Sequence, residues 1–198
     1  MIITIDGYSS QGKTYIGSKL AKELQMEFLA TGSIVRYTAY LYTIYNNHSD
    51  EHSIWEKAIR EMQTTSMQDL LACPYLKDAK TEEALLSAAS DPDVFAQVVE
   101  KIILYAKGRN IILDGRFTFD IFPDAYRSYY FCSTKQRRAA LYAREHGITM
   151  EEAFRYITFR DSFEKNYTIP NHVKVIRLDN FLNADAVLSY LLKDILGK

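Results

Sequence analysis

"GYSSQGKT", residues 7–14, follows directly on the apolar run "MIITID". Gly7 and Gly12 stand ahead of Lys13 and Thr14 in the full spacing of a nucleoside-triphosphate loop, G-x-x-x-x-G-K-[ST]. The chemistry needs each element. Gly7 and Gly12 reach backbone dihedrals closed to other residues, so the chain can wrap its amide N–H groups around phosphate oxygens. Lys13 supplies a point charge to the β and γ oxygens, and the Thr14 hydroxyl is the expected ligand of Mg²⁺. With Ser9, Ser10, Gln11 and Tyr15 these residues form the expected ATP-binding segment. A lysine and threonine opening a helix can also be simple capping. What favours the cradle is its context, since β-branched "IITI" reads as a buried strand and Ile16, Leu20 and Leu24 recur at helical spacing after the loop. Such a helix points its positive end at the same anion.

Outward from the loop, short apolar strands alternate with helices. "EFLATGS", "NIILDG" (110–115), "RSYYFCS" (127–133) and "VKVIRLD" read as further strands. A tyrosine-rich helix covers roughly Ser33 to Asn46, and several helices separated by weak breakers follow from Asp50 to about Lys107. The last of these has Asp91 as N-cap, Pro92 at its first position and Gly108 past its end. "TKQRRAALYAREHG" is expected to be a helix between Thr134 and Gly147, and "TMEEAFRYITFRDSF" one opened by Thr149 and Glu152 in capping-box spacing. "NADAVLSYLLKDIL" closes the chain as a helix. Strands of this composition alternating with helices imply an α/β fold with a parallel sheet covered on both faces. Ligands then bind at the carboxyl ends of strands, where the octapeptide lies.

The 198 residues carry 24 basic and 25 acidic side chains, a formal net charge of -1. That balance argues against coating nucleic acid or an anionic membrane by bulk charge, while leaving room for a local positive pocket. No apolar stretch reaches the roughly 18 residues of a membrane span, and no basic segment precedes a signal-like run, so a cytoplasmic protein is expected. Cys73 and Cys132 are too few and too far apart for a disulfide framework or zinc site and are expected to be core thiols. The stripe Tyr37, Tyr40, Leu41, Ile44 and Tyr45 is expected to be core, and Trp55 to be helix packing.

Beyond the loop, "ATGSIVRY", "IILDGRFTFDIFPDA", "YYFCSTKQRRA" and "ITFRDSFEKN" occur in an order and spacing that resembles the bacterial cytidylate kinases over nearly the whole chain. The resemblance implies a P-loop three-layer αβα domain of the nucleoside monophosphate kinase kind. Its core would be about 1–35, 108–145 and 170–198, with a helical acceptor-binding region at about 36–107 and a lid at about 146–168. It implies phosphoryl transfer from ATP with Mg²⁺ to a small-molecule nucleotide, with no nucleic acid or membrane partner, by a monomer or weak homodimer. Carried over residue by residue, Thr31 and Arg36 hold the acceptor nucleotide and its phosphate, and Arg116 is an acceptor-site arginine. Asp114 sits beside the loop, Arg137 and Arg160 are lid-region arginines, and Asp161 completes the "RD". Bringing an anionic donor and acceptor together requires converging positive charge, which arginine forks provide.

The donor side keeps the family pattern, and the acceptor side departs from it. "YSSQ" replaces small residues inside the loop, and Ala30 stands where the family has an aspartate. Phe117 follows "DGR" in place of another aspartate, and "DPDVFAQ" lacks an expected arginine. "SFEKNY" offers Glu164 and Lys165 but no arginine. Since such sites discriminate by hydrogen-bond matching, three readings stay open: a CMP or dCMP kinase that reads its base through Glu164 and its neighbours, a kinase for a different acceptor, and a nucleotide-binding protein that has lost catalysis.

Overall fold

The computed structural model describes residues 1–46, 51–162 and 168–197. The chain forms two compact units, one from Met1–Ala30 with Gly108–Lys198 and one from Thr31–Lys107. The helical unit begins at Thr31, and α2 (Gly32–Tyr45) packs against α3 (Glu51–Thr64) and α5 (Ala79–Ser90) within it.

The first unit contains β1 (Ile2–Gly7), α1 (Lys13–Glu23), β2 (Glu27–Ala30), β3 (Ile111–Asp114), α7 (Thr118–Ile121), β4 (Arg127–Cys132), α8 (Lys135–His146), α9 (Met150–Ser162), β5 (Lys174–Arg177) and α10 (Ala184–Leu196). The five strands are all parallel, in the order β2-β3-β1-β4-β5. β1 lies between β3 and β4, with Ile5 in register with both Asp114 and Tyr129. The loop after β1 therefore emerges at the carboxyl edge of the sheet's centre, the crevice where open α/β sheets bind ligands. Ile3 and Ile5 face one way and Thr4 and Asp6 the other, all fully buried, as a parallel strand covered on both faces requires. On the first face, Ile16 and Leu20 of α1 and Val187 and Leu191 of α10 pack against Ile112, Tyr129, Phe131 and Ile176.

The helix boundaries follow their capping chemistry. Thr134 caps α8 by accepting from the Arg137 amide at 3.4 Å, and Gly147 ends it with φ 65°. Thr149 and Glu152 form the reciprocal box that opens α9, with the Glu152 amide on the Thr149 hydroxyl at 3.2 Å and the Thr149 amide on the Glu152 carboxylate at 2.9 Å. α9 packs on α8 through Ala139, Ala153 and Ile157, with Tyr142 and Tyr156 stacked at 4.3 Å. The short helix α7 and a 3-10 turn at Leu178–Asn180 carry no periodic signal and go beyond the sequence reading.

The second unit holds α2 (Gly32–Tyr45), α3 (Glu51–Thr64), α4 (Met67–Ala72), α5 (Ala79–Ser90) and α6 (Pro92–Ala106). The Asp91 carboxylate caps α6 by accepting from the amides of Asp93 and Val94 at 2.9 and 3.0 Å, with Pro92 at the first position and Gly108 beyond the end at φ 74°. Tyr37 and Leu41 are buried, as expected of core, whereas Tyr40 and Tyr45 are only half-buried, Tyr40 stacks on the exposed Tyr75 at 5.3 Å, and Ile44 lies open to solvent. Trp55 stacks on Tyr42 at 4.1 Å. The Lys101 ammonium is buried and closes the end of α3 by donating to the carbonyls of Gln63 and Thr65 at 3.1 and 2.9 Å, and burial lowers its pKa. Cys73 and Cys132 are free and half-buried rather than fully enclosed. No described helix is long and apolar enough to cross a membrane.

Candidate active site

The octapeptide forms a cradle at the end of β1. Gly7 has φ 138°, and a Cβ there would stand 2.3 Å from the Phe131 carbonyl oxygen of β4. No side chain fits at that position, because the loop must leave the sheet hard against its neighbour. Gly12, just ahead of α1, is left-handed at φ 75°, and so is Ser10 at φ 56°. The second left-handed residue is a feature the pattern did not foretell, since serine gives no signal for it. The Lys13 ammonium folds back over the loop and donates to the carbonyls of Gly7 and Tyr8, both at 2.8 Å. Gln11 is buried, its side-chain oxygen accepting from Ser133 at 2.6 Å, which ties the loop to the segment after β4.

Two groups that strand ends deliver meet beside this loop. The Thr14 hydroxyl donates to the Asp114 carboxylate at 2.5 Å, joining the start of α1 to the end of β3. Arg116, two residues further on, donates to the Ser9 hydroxyl at 3.4 Å. The third basic group comes from α8, and it is Arg138. Its guanidinium donates to the Ser9 carbonyl at 3.5 Å, lies 5.1 Å from the Tyr8 ring, and forks onto Asp161 at 2.7 and 2.6 Å. Arg137, the arginine expected from sequence, points elsewhere: it donates to the Leu178 carbonyl and lies 3.9 Å from Asp179. The two side chains are one helical step apart, and the face of α8 that packs on α9 selects Arg138. A run of two arginines does not say which face is which.

Asp161 is engaged by Arg138 and, at 3.7 Å, by Lys135, so it joins α9 to α8 instead of standing open as a binding group. Arg160 is buried on α9 with its guanidinium 6.0 Å from the Tyr156 ring. Tyr15 is more than half exposed, with the Lys19 ammonium 4.7 Å from its ring. Thr31 and Arg36 belong to the helical unit, where Thr31 is buried at the start of α2 and Arg36 donates to Glu82 of α5 at 2.8 Å. Glu164 and Lys165 lie outside the described residues.

Asp6 was not singled out by sequence, yet it is wholly buried beside the loop. It accepts from the Thr118 amide and hydroxyl at 2.8 and 2.7 Å and from the Phe119 amide at 3.0 Å. Burial raises its pKa from 3.8 to about 6, against the lowering effect of those three donors and the Lys13 charge. Among the described residues no group of three or more His, Cys, Asp or Glu side chains is gathered to hold a metal. A hydroxyl and one carboxylate fit instead a magnesium ion that keeps phosphate and water as its other ligands.

The loop after β1, the Thr14–Asp114 pair and two arginines from separate segments thus come together at the carboxyl edge of the sheet. The sequence profile of the family described as "Cytidylate kinase" matches residues 3–173. The chain belongs to the cytidylate kinase family. It is similar to the cytidylate kinase of Thermodesulfovibrio yellowstonii, at 26% identity over 183 residues, covering 81% of this chain and 80% of that one. The cytidylate kinase of Fusobacterium nucleatum is 26% identical over 98% of this chain and 97% of its own. Among solved structures, an uncharacterized protein from Eubacterium ventriosum superposes with a TM-score of 0.58 at 14% identity, covering 100% of this chain and 99% of that one. This member of the family is a nucleoside monophosphate kinase with the P-loop α/β fold.

Proposed function

We propose that this kinase transfers the γ-phosphoryl group of ATP to CMP or dCMP, giving ADP and the nucleoside diphosphate. The observation that carries the reading is the meeting of Lys13, the Thr14–Asp114 pair, Arg116 and Arg138 around one left-handed loop. The loop amides and Lys13 bind the donor phosphates. Thr14 would hold Mg²⁺ through its hydroxyl oxygen, and Asp114, which accepts the Thr14 hydrogen bond, would orient that oxygen toward the ion. Such an ion would supply neutralisation of the donor's phosphate charge. Arg116 steadies the acceptor phosphate beside the γ-phosphoryl group it receives, and Arg160 and Arg138 bring further charge from α9 and α8. Residues 146–168 act as the lid that excludes water so that ATP is not hydrolysed, with the Arg138–Asp161 fork holding α9 to α8.

For the acceptor, Thr31 and Arg36 bind the monophosphate within the helical region 36–107 and its start, and Glu164 reads the base. The near-zero net charge supports free nucleotides as partners over nucleic acid or a membrane surface, and a cytoplasmic location goes with the kinase reading. Phe117, next to Arg116 where the resemblance leads one to expect an aspartate, favours a second reading in which the acceptor differs. Thermal-shift titration of the five common monophosphates with a non-hydrolysable ATP analogue separates the two. The first reading expects CMP and dCMP to raise the melting temperature most. A rise with the ATP analogue alone, and with no monophosphate, refutes it.

A further inference from the structure

Asp6 has no part in the reading above, yet the segment that carries Arg116 is built onto it. Gly115, Arg116 and Phe117 bridge the end of β3 and the start of α7. Both ends of that bridge are fastened to consecutive residues of β1. The Gly115 amide donates to the Ile5 carbonyl at 3.1 Å. On the far side the Asp6 carboxylate takes the Thr118 amide, the Thr118 hydroxyl and the Phe119 amide, at 2.7 to 3.0 Å. The next residue in the chain, Gly7, opens the loop whose Ser9 hydroxyl accepts from Arg116. One strand end therefore sets the loop and the arginine together.

We propose that Asp6 is a positioning residue for phosphoryl transfer: by pinning Thr118 and Phe119 it fixes the bridge on which Arg116 is held against the donor loop. The chemistry favours a carboxylate here. Three donors converge on two oxygens, and a carboxylate has the lone pairs for all of them, whereas an amide presents one acceptor oxygen and two donor hydrogens. Asparagine would set its N–H₂ group against at least one of the two backbone amides or force the bridge to shift. A shift of about 1 Å at the bridge is enough to cost on the order of 100-fold in rate, since transfer depends on placing charge where it develops. The Lys13 ammonium is the cation that faces the carboxylate from the loop side. That leaves the donor site and the arginine bridge as the two structures Asp6 could serve, and the hydrogen bonds run to the bridge.

The inference rests on the proposed role of Arg116, so its test keeps the two apart. Asp6→Asn, Arg116→Lys and the double variant are assayed for kcat/KM with CMP, and each is titrated with a non-hydrolysable ATP analogue by calorimetry. Asp6→Asn is expected to lower kcat/KM about 30-fold in the native background and less than threefold in the Arg116→Lys background, with analogue affinity held within threefold. Equal losses in both backgrounds, or a loss of analogue affinity matching the loss of turnover, overturn the proposal. Should Asp6→Asn fail to fold, Thr118→Val removes one of the three contacts and is expected to show the same coupling at smaller amplitude. If the wild-type kinase turns over no monophosphate, the function fails and not the positioning. The arginine side-chain ¹⁵N spectrum then decides, because Asp6→Asn must shift or broaden the signal that Arg116→Lys deletes, and an unchanged signal refutes the role.

Discussion

Asp6 also makes the kinase's stability depend on pH in a direction opposite to that of most acids. A paired carboxylate ordinarily has a lowered pKa and loses stability as it is protonated. Here burial outweighs three hydrogen bonds and a nearby ammonium, so the native pKa is about 6 against 3.8 for the free side chain. Between those values the folded chain holds more protons than the unfolded one, and stability falls as pH rises. The contribution is fully present below about 3.8 and is lost as pH passes about 6. A gap of this size is worth about 3 kcal/mol in total, of which roughly half is lost between pH 5 and pH 7.5. Urea unfolding at those two pH values, for wild type and for Asp6→Asn, isolates the group because every other titration is common to both. The wild type is expected to lose about 1 to 2 kcal/mol more than the variant over the interval. Parallel pH dependences would show that Asp6 is ionised throughout and that burial does not raise its pKa.

Gly7→Ala should destabilise the fold by about 3 kcal/mol and lower the melting temperature by about 6–12 °C, because the new methyl meets a backbone carbonyl that cannot rotate away and φ 138° is strained for any other residue; thermal unfolding checks this, and a shift below 2 °C contradicts it. Asp161→Asn should leave Arg138 buried with its charge weakly matched, at a cost of about 3 kcal/mol. Hydrogen exchange is expected to quicken in α9 while β1 and β3 stay protected, and uniform quickening would mean the fork does not act locally.

Much of this architecture was legible because its signals are local. Gly7, Gly12, Lys13 and Thr14 announce the cradle within eight residues, and Asp91-Pro92, Thr134, Thr149 with Glu152, and Gly147 mark their helix ends by chemistry confined to one turn. What escaped depends on contacts far apart in sequence. Asp6 meets Thr118 across 112 positions, and nothing near Asp6 indicates that α7 will start on its carboxylate. Arg137 and Arg138 are equivalent in composition, and only the packing of α8 on α9 separates a tether to Leu178 from a group beside the loop. Ser10 adopts a left-handed conformation because the loop closes around it, not because serine prefers it.

The loop and its arginines are proposed to serve transfer from ATP to a pyrimidine nucleoside monophosphate. Coupled measurement of ADP release with Mg²⁺, ATP and each of CMP, dCMP, UMP, AMP and GMP tests it most directly, with Lys13→Ala as the control. Turnover is expected to be highest with CMP or dCMP and to fall on the order of 100-fold or more in the variant. An ATP-binding chain that consumes none of the five would contradict it.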